Sequence, residues 1–185
     1  IWWVTGAQLL YGGDAVVAVD GHSKEMVDGL NKSGNIPVKI VYKGTANSSK
    51  EVEQVMLAAN NDAKCVGIIT WMHTFSPAKM WIKGLQRLNK PMLHFHTQYN
   101  AEIPWDTMDM DFMNLNQSAH GDIEFGHICR RMRVPRKVVV GYWKSKEAQE
   151  KIAIWARVAA AVADAHDVRC LMFGMNMNNV AVTDS

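Results

Sequence analysis

Cysteine is scarce in this sequence: Cys65, Cys129 and Cys170 are widely spaced in 185 residues, with no CxxC pair. An odd, scattered set excludes a disulfide framework and predicts a reducing, cytoplasmic setting. Charge of one sign is missing too. Twenty Lys+Arg against eighteen Asp+Glu leave a formal +2, which provides no excess for grasping nucleic acid or an anionic membrane surface. No apolar run approaches the ~20 residues of a membrane span. The opening Ile1-Trp2-Trp3-Val4-Thr5 carries neither a basic n-region nor a cleavage site, so no secretory signal is expected. The missing initiator Met and the end at Asp184-Ser185 predict a chain from which something has been removed. Internal repeats and low-complexity tracts are absent as well. What is present is 48% apolar and 21% charged residues, the balance of a folded globular protein of about one domain.

Short β-rich runs alternate with longer helical stretches. Strands are expected at Ile1–Thr5, Val38–Tyr42, Cys65–Trp71, Pro91–His96 and Lys137–Gly141, with a sixth at Arg169–Phe173. Between them, Val16, Val19, Met26, Val27 and Leu30 recur at helical spacing after a capping Asp14. Further helices are expected from Lys50 to Asn60 behind Ser48-Ser49, over Ala78–Leu88 behind Pro77, from Asn114 to Arg133, and over Glu147–Ala165. This alternation predicts an α/β fold: an open, mostly parallel flavodoxin-like or Rossmann-like sheet with helices on both faces. Residues 1–167 form that domain, and 168–185 read as the start of a second. Thr97–Met113 is a long irregular, polar-aromatic segment, of the kind that usually serves function.

Ligands of open parallel sheets bind beyond the carboxyl ends of the strands. The loops there hold the amides Gln8, Gln98 and Asn100, the phenols Tyr11 and Tyr99, the carboxylates Asp106, Asp109 and Asp111, and also His73, Trp105 and Trp143. Amides, hydroxyls, carboxylates and indoles suit a polyhydroxylated small molecule, although composition alone favours aromatics that merely pack beneath a long loop. Gly6 and Gly12-Gly13 follow strand one, but the spacing is neither GxGxxG nor a P-loop, which excludes a nucleotide site and speaks against a flavodoxin-like cofactor protein. His94 and His96 alternate along strand four and share a face. They could ligate a metal, yet paired core histidines are the commoner outcome and no third ligand is evident. His120, Glu124 and His127 form one stripe of the fourth helix, a possible metal set or simply a polar face. Gln117 lies one turn before His120, so both could point toward the strand ends. No Ser-His-Asp, Cys-His or GxSxG arrangement can be assembled.

Three blocks carry a resemblance. Gly67-Ile68-Ile69-Thr70-Trp71-Met72-His73-Thr74-Phe75-Ser76-Pro77-Ala78-Lys79-Met80-Trp81, the run from Ile103-Pro104-Trp105-Asp106 to Gln117-Ser118-Ala119-His120-Gly121, and Gly6-Ala7-Gln8-Leu9-Leu10-Tyr11-Gly12 resemble L-arabinose isomerases in order and content. The resemblance extends through Val180-Ala181-Val182-Thr183. It implies conversion of L-arabinose to L-ribulose, and of D-galactose to D-tagatose, through an ene-diol. It also implies a divalent metal, usually manganese, held by two glutamates and two histidines, and assembly as homo-oligomeric trimers and hexamers with sites between subunits. The family's metal-binding residues lie beyond Ser185. From this region the resemblance implies sugar contacts by Gln8, Leu10, Tyr11, Gln117 and His120 in a neighbour's site, and by Met177 in its own. The sequence departs from the family at Leu9, where His is usual, and at Met175, Asn178 and Asn179, which replace Asp, Arg and Glu. Two function classes follow: an aldose–ketose isomerase in truncated form, or a catalytically inactive sugar-binding or oligomerisation domain derived from one. If a short form is active, the substitute metal set to test is His120, Glu124 and His127, or Asp109 and Asp111 with a neighbour's His.

Overall fold

A computed structural model of the chain describes residues 1–171, 173 and 174. Five strands, β1 (Trp2–Gly6), β2 (Val41–Ala46), β3 (Ile68–Met72), β4 (Met92–His96) and β5 (Lys137–Val140), form one sheet in the order β2-β1-β3-β4-β5, and every pairing is parallel. The expected α/β fold is what the chain adopts. The helices are α1 (Gly13–Lys32), α2 (Ser49–Asn61), α3 (Ile82–Arg87), α4 (Met110–Leu115), α5 (Ser118–Arg131) and α6 (Lys146–Ala165).

Side chains of each strand alternate between two cores, as the period of two requires. Trp3, Ile69, Trp71, Leu93, Phe95 and Val139 meet α1 and α6 on one face. Trp2, Val4, Ile68, Met72 and Met92 meet α2, α3 and α5 on the other. Trp3 sits edge-on to both Trp71 and Phe95, with ring centroids 6.1 and 6.0 Å apart. Burying side chains of this size contributes about 1.5–3 kcal/mol each. Helix starts are fixed locally: Ser48 Oγ accepts from Glu51 N–H, Asp109 Oδ1 from Phe112 N–H, and Ser145 Oγ from Ala148 N–H.

Several elements differ from the sequence reading. Strand two begins three residues late, because Val41 N–H donates to Ile1 O at 2.8 Å and β1 thereby sets the register. α1 starts at Gly13 behind Gly12, whose φ is +88°, and Asp14 sits inside its first turn instead of capping it. The helix expected over Ala78–Leu88 opens as a 3-10 turn, Ala78–Trp81, before α3. The helix expected from Asn114 to Arg133 is broken at Asn116-Gln117, since Gln117 N–H leaves the helical ladder to donate to His73 O at 3.1 Å. As for the sixth strand, Arg169–Leu171 and Phe173 are exposed and in no strand, and Met172 lies outside the described residues. An apolar run becomes a strand only where a neighbour takes its N–H and C=O groups, and no described strand lies beside it. α6 ends at Ala165, two residues before the expected boundary, and most of 168–185 lies outside the described residues.

Candidate functional site

The strand order reverses between β1 and β3, and the loops beyond these two carboxyl ends are tied together. His73 N–H donates to Gly6 O at 3.3 Å, and Gln8 N–H to Thr74 Oγ1 at 3.0 Å. The Gln8 side-chain amide donates to Ser76 O. Ser76 holds the left-handed conformation at φ +51°, which costs a side-chain-bearing residue about 1–2 kcal/mol. Its hydroxyl donates to Glu124 Oε2 at 2.6 Å, anchoring the strained turn to α5. Gln8 is therefore engaged in holding the loops.

A cavity of about 730 Å³ opens beside this junction, beyond the ends of β4 and β5. Gln117 and His120, from the start of α5, stand on its wall with His96, Gln98 and Asn116. Ile103, Trp105 and Met108 from the long loop, and Phe112 and Met113 from α4, make its apolar side. Two bonds pin the base of that loop: Trp71 Nε1–H donates to Thr97 O at 2.8 Å, and Trp143 Nε1–H to Tyr99 O at 3.0 Å. Trp143 is thus buried packing, whereas Trp105 is 75% exposed. His120 stacks on Phe75, centroids 4.2 Å apart, and its Nε2 is buried without a hydrogen-bond partner, as is Gln98 Oε1.

Among the expected sugar contacts, Gln117 and His120 come together on this wall. Gln8 lies on the adjoining loop, Leu10 is 74% exposed, and Tyr11 closes the 3-10 turn Leu9–Tyr11. Met177 lies outside the described residues. Asp106, Asp109 and Asp111 are not on the wall, and Asp109 is occupied in capping α4.

Behind the wall lies a buried polar cluster. His94 Nε2 and Asp122 Oδ1 are 2.6 Å apart, and Asp122 Oδ1 also accepts from Met72 N–H at 3.4 Å. Burial pushes the Asp122 carboxyl well above the usual carboxylate range. It pushes the His94 imidazole down to about 3, with smaller effects from Arg136 and His96. The pair is therefore a hydrogen bond between a carboxyl group and a neutral imidazole. His73 is likewise buried and pushed down to about 3, by burial first and by His22 second. Its Nε2 lies 3.0 Å from His22 Nδ1, and His22 stacks on Tyr99 at 3.7 Å.

The donors do not suit a metal. His120 Nε2 and Glu124 Oε1 lie 3.6 Å apart and His127 is exposed, so the stripe is not a ligand set. No group of three or more His, Cys, Asp or Glu among the described residues is placed to hold an ion. The manganese implied by resemblance has no ligand set in the described part of this chain. Asp122 was missed as a site residue, and His96 was weighed only as half of a metal pair with His94: Asp122 reads as one polar residue on a buried helix face, and only the β4–α5 packing brings it to the histidines.

A family model described as "L-arabinose isomerase N-terminal domain" matches residues 1–167. The chain is similar to the L-arabinose isomerases of Phocaeicola vulgatus, 75% identical over 184 residues, and Bacteroides thetaiotaomicron, 76% identical over 184 residues. In both cases the match covers 100% of this chain and 36% of the relative. The L-arabinose isomerase of Thermotoga petrophila is 55% identical over 183 residues, 99% of this chain and 37% of that protein. The chain thus spans little more than a third of these relatives.

Proposed function

Since the chain belongs to the family of L-arabinose isomerase N-terminal domains, we propose that it is the sugar-presenting part of an enzyme interconverting L-arabinose and L-ribulose, and D-galactose and D-tagatose. The observation that carries this reading beyond kinship is the pairing of Gln117 and His120 on one cavity wall at the carboxyl ends of the strands. An apolar wall with a few converging polar groups fits a sugar, whose C–H faces pack while its hydroxyls hydrogen-bond. In this reading Gln117 and His120 bind and orient hydroxyls, Gln8 braces the loop beneath them, and the apolar loop excludes water. Leu10, Tyr11 and Met177 are further sugar contacts in this reading. The domain acts within a homo-oligomer in the cytoplasm, facing a neighbouring subunit. The manganese and the proton-transferring carboxylates belong to the remainder of the enzyme, and no step assigned here passes through them.

The second reading, an inactive sugar-binding or assembly domain, is favoured by the lack of a metal-ligand group among the described residues. The two are separated by following ketose formation from L-arabinose with the 185-residue chain and with the full-length protein, each with manganese and with EDTA. Metal-dependent turnover by the full-length protein supports the enzyme reading, and its absence in a folded protein refutes it. Turnover by the short chain alone would refute the division of labour proposed here.

A further inference from the structure

We propose that His96 is a further sugar-contacting residue of the cavity and that the buried carboxyl group of Asp122 is its positioning residue. The inference rests on the sugar-binding reading above and extends it to two residues that neither the family resemblance nor the strand-end rule selected. His94 and His96 point to one face of β4 with their rings nearly parallel, 6° apart in plane and 5.9 Å between centroids. Their surroundings differ. His94 is sealed in the interior, edge-on to Phe125, and shares Asp122 Oδ1. His96 ends the strand, is 28% exposed, and forms part of the cavity wall with Gln98 and His120. A histidine that only completed the core would be enclosed as His94 is.

Asp122 has no exposed surface, and its Oδ2 has no hydrogen-bond partner among the described residues. His96 Nε2 lies 3.7 Å from it. That gap is too long for a hydrogen bond, and tilting the ring by ~0.8 Å brings it to the ~2.9 Å of an N–H···O bond. An unpaired buried oxygen is unfavourable, so Asp122 favours the tilted ring with its proton on Nε2. This fixes the tautomer and leaves Nδ1 as the acceptor for a sugar hydroxyl. Gln98 and His120, which stand beside His96 on the cavity wall, each also hold one buried side-chain atom without a hydrogen-bond partner, Oε1 and Nε2. His94 keeps the second Asp122 oxygen occupied, which leaves the carboxyl group one free direction.

The test uses the full-length protein and L-arabinose. His96→Gln raises KM about threefold to tenfold, the range of one lost hydrogen bond, with kcat within twofold. Asp122→Leu, which removes the acceptor at similar volume, raises KM likewise, and Asp122→Asn, which keeps a carbonyl oxygen, restores it. A packing role alone would not make KM follow the acceptor. An unchanged KM in folded His96→Gln overturns the assignment. The wild-type protein gives a second reading that needs no variant: L-arabinitol protects His96 from diethyl pyrocarbonate, measured by peptide mapping. Lack of protection at saturating L-arabinitol overturns the proposal. Absence of isomerisation by the wild type would instead refute the functional reading, and the protection measurement would still judge His96 as a polyol contact.

Discussion

At Gly121, α5, the helix that presents Gln117 and His120, packs tightly against the end of β3 and the loop that follows it. A Cβ built there lies 2.8 Å from Thr74 O, 3.1 Å from Met72 Cβ and 3.2 Å from Pro77 Cδ. The first of these is backbone in the loop after β3, and the others are the start of a strand side chain and a rigid ring, so the helix itself must move. Overpacking of this kind costs about 1–3 kcal/mol, against which alanine in a helix regains up to ~1 kcal/mol over glycine. Gly121→Ala is therefore expected to destabilise the chain by up to about 2 kcal/mol. At about 2–4 °C per kcal/mol for this chain length, the midpoint of thermal unfolding falls by up to ~8 °C. Gly126, on the same helix, supplies the internal control. Its built Cβ meets only Arg136 Nη2, at 3.1 Å, the far end of a flexible side chain. Gly126→Ala keeps the helix-propensity gain without the clash and should be neutral or raise the midpoint by about 2–4 °C. Circular dichroism melts of the two variants decide the matter. Equal effects, or a larger loss for Gly126→Ala, would refute the close-packing argument.

Three further substitutions probe the scaffold. His73 has a folded pKa of about 3 against ~6.5 in the unfolded chain, so its contribution is complete above the higher value and is lost as pH falls toward the lower. The slope is at most about 1.4 kcal/mol per pH unit; His73→Gln should flatten the stability curve between pH 6.5 and 4.5, and parallel curves for variant and wild type would contradict this. Trp71→Phe removes the donor to Thr97 O and leaves a buried carbonyl unpaired, costing about 1–3 kcal/mol in urea unfolding, whereas Trp105→Phe on the exposed loop should stay within about 0.5 kcal/mol. A reversed order of those two tryptophans would show that the loop is not pinned at Thr97.

The strands buried on both faces were legible because their apolar runs are continuous, as in Ile68–Met72. β2 was misplaced because it is the sheet's edge: Lys43-Gly44-Thr45 looks like a loop, and its register comes from pairing with β1 rather than from its own hydrophobicity. The break at Asn116-Gln117 was equally hidden, since the bond that causes it comes from His73, forty-four residues earlier in the chain. Gln117 and His120 were readable from helical spacing and from the rule that ligands gather at strand ends. The unpaired oxygen of Asp122 was not, because it depends on how β4 and α5 face one another. His94-x-His96 showed a shared face in the sequence, and only packing separates the sealed residue from the one on the cavity wall.

Sugar contact by the α5 start is the core of the account, and His120→Ala in the full-length protein tests it most directly. With circular dichroism unchanged, kcat/KM for L-arabinose is expected to fall at least tenfold, a loss of about 1.4 kcal/mol or more in transition-state binding. A folded His120→Ala protein with wild-type kcat/KM would contradict the account, because the cavity wall would then contribute nothing to the reaction.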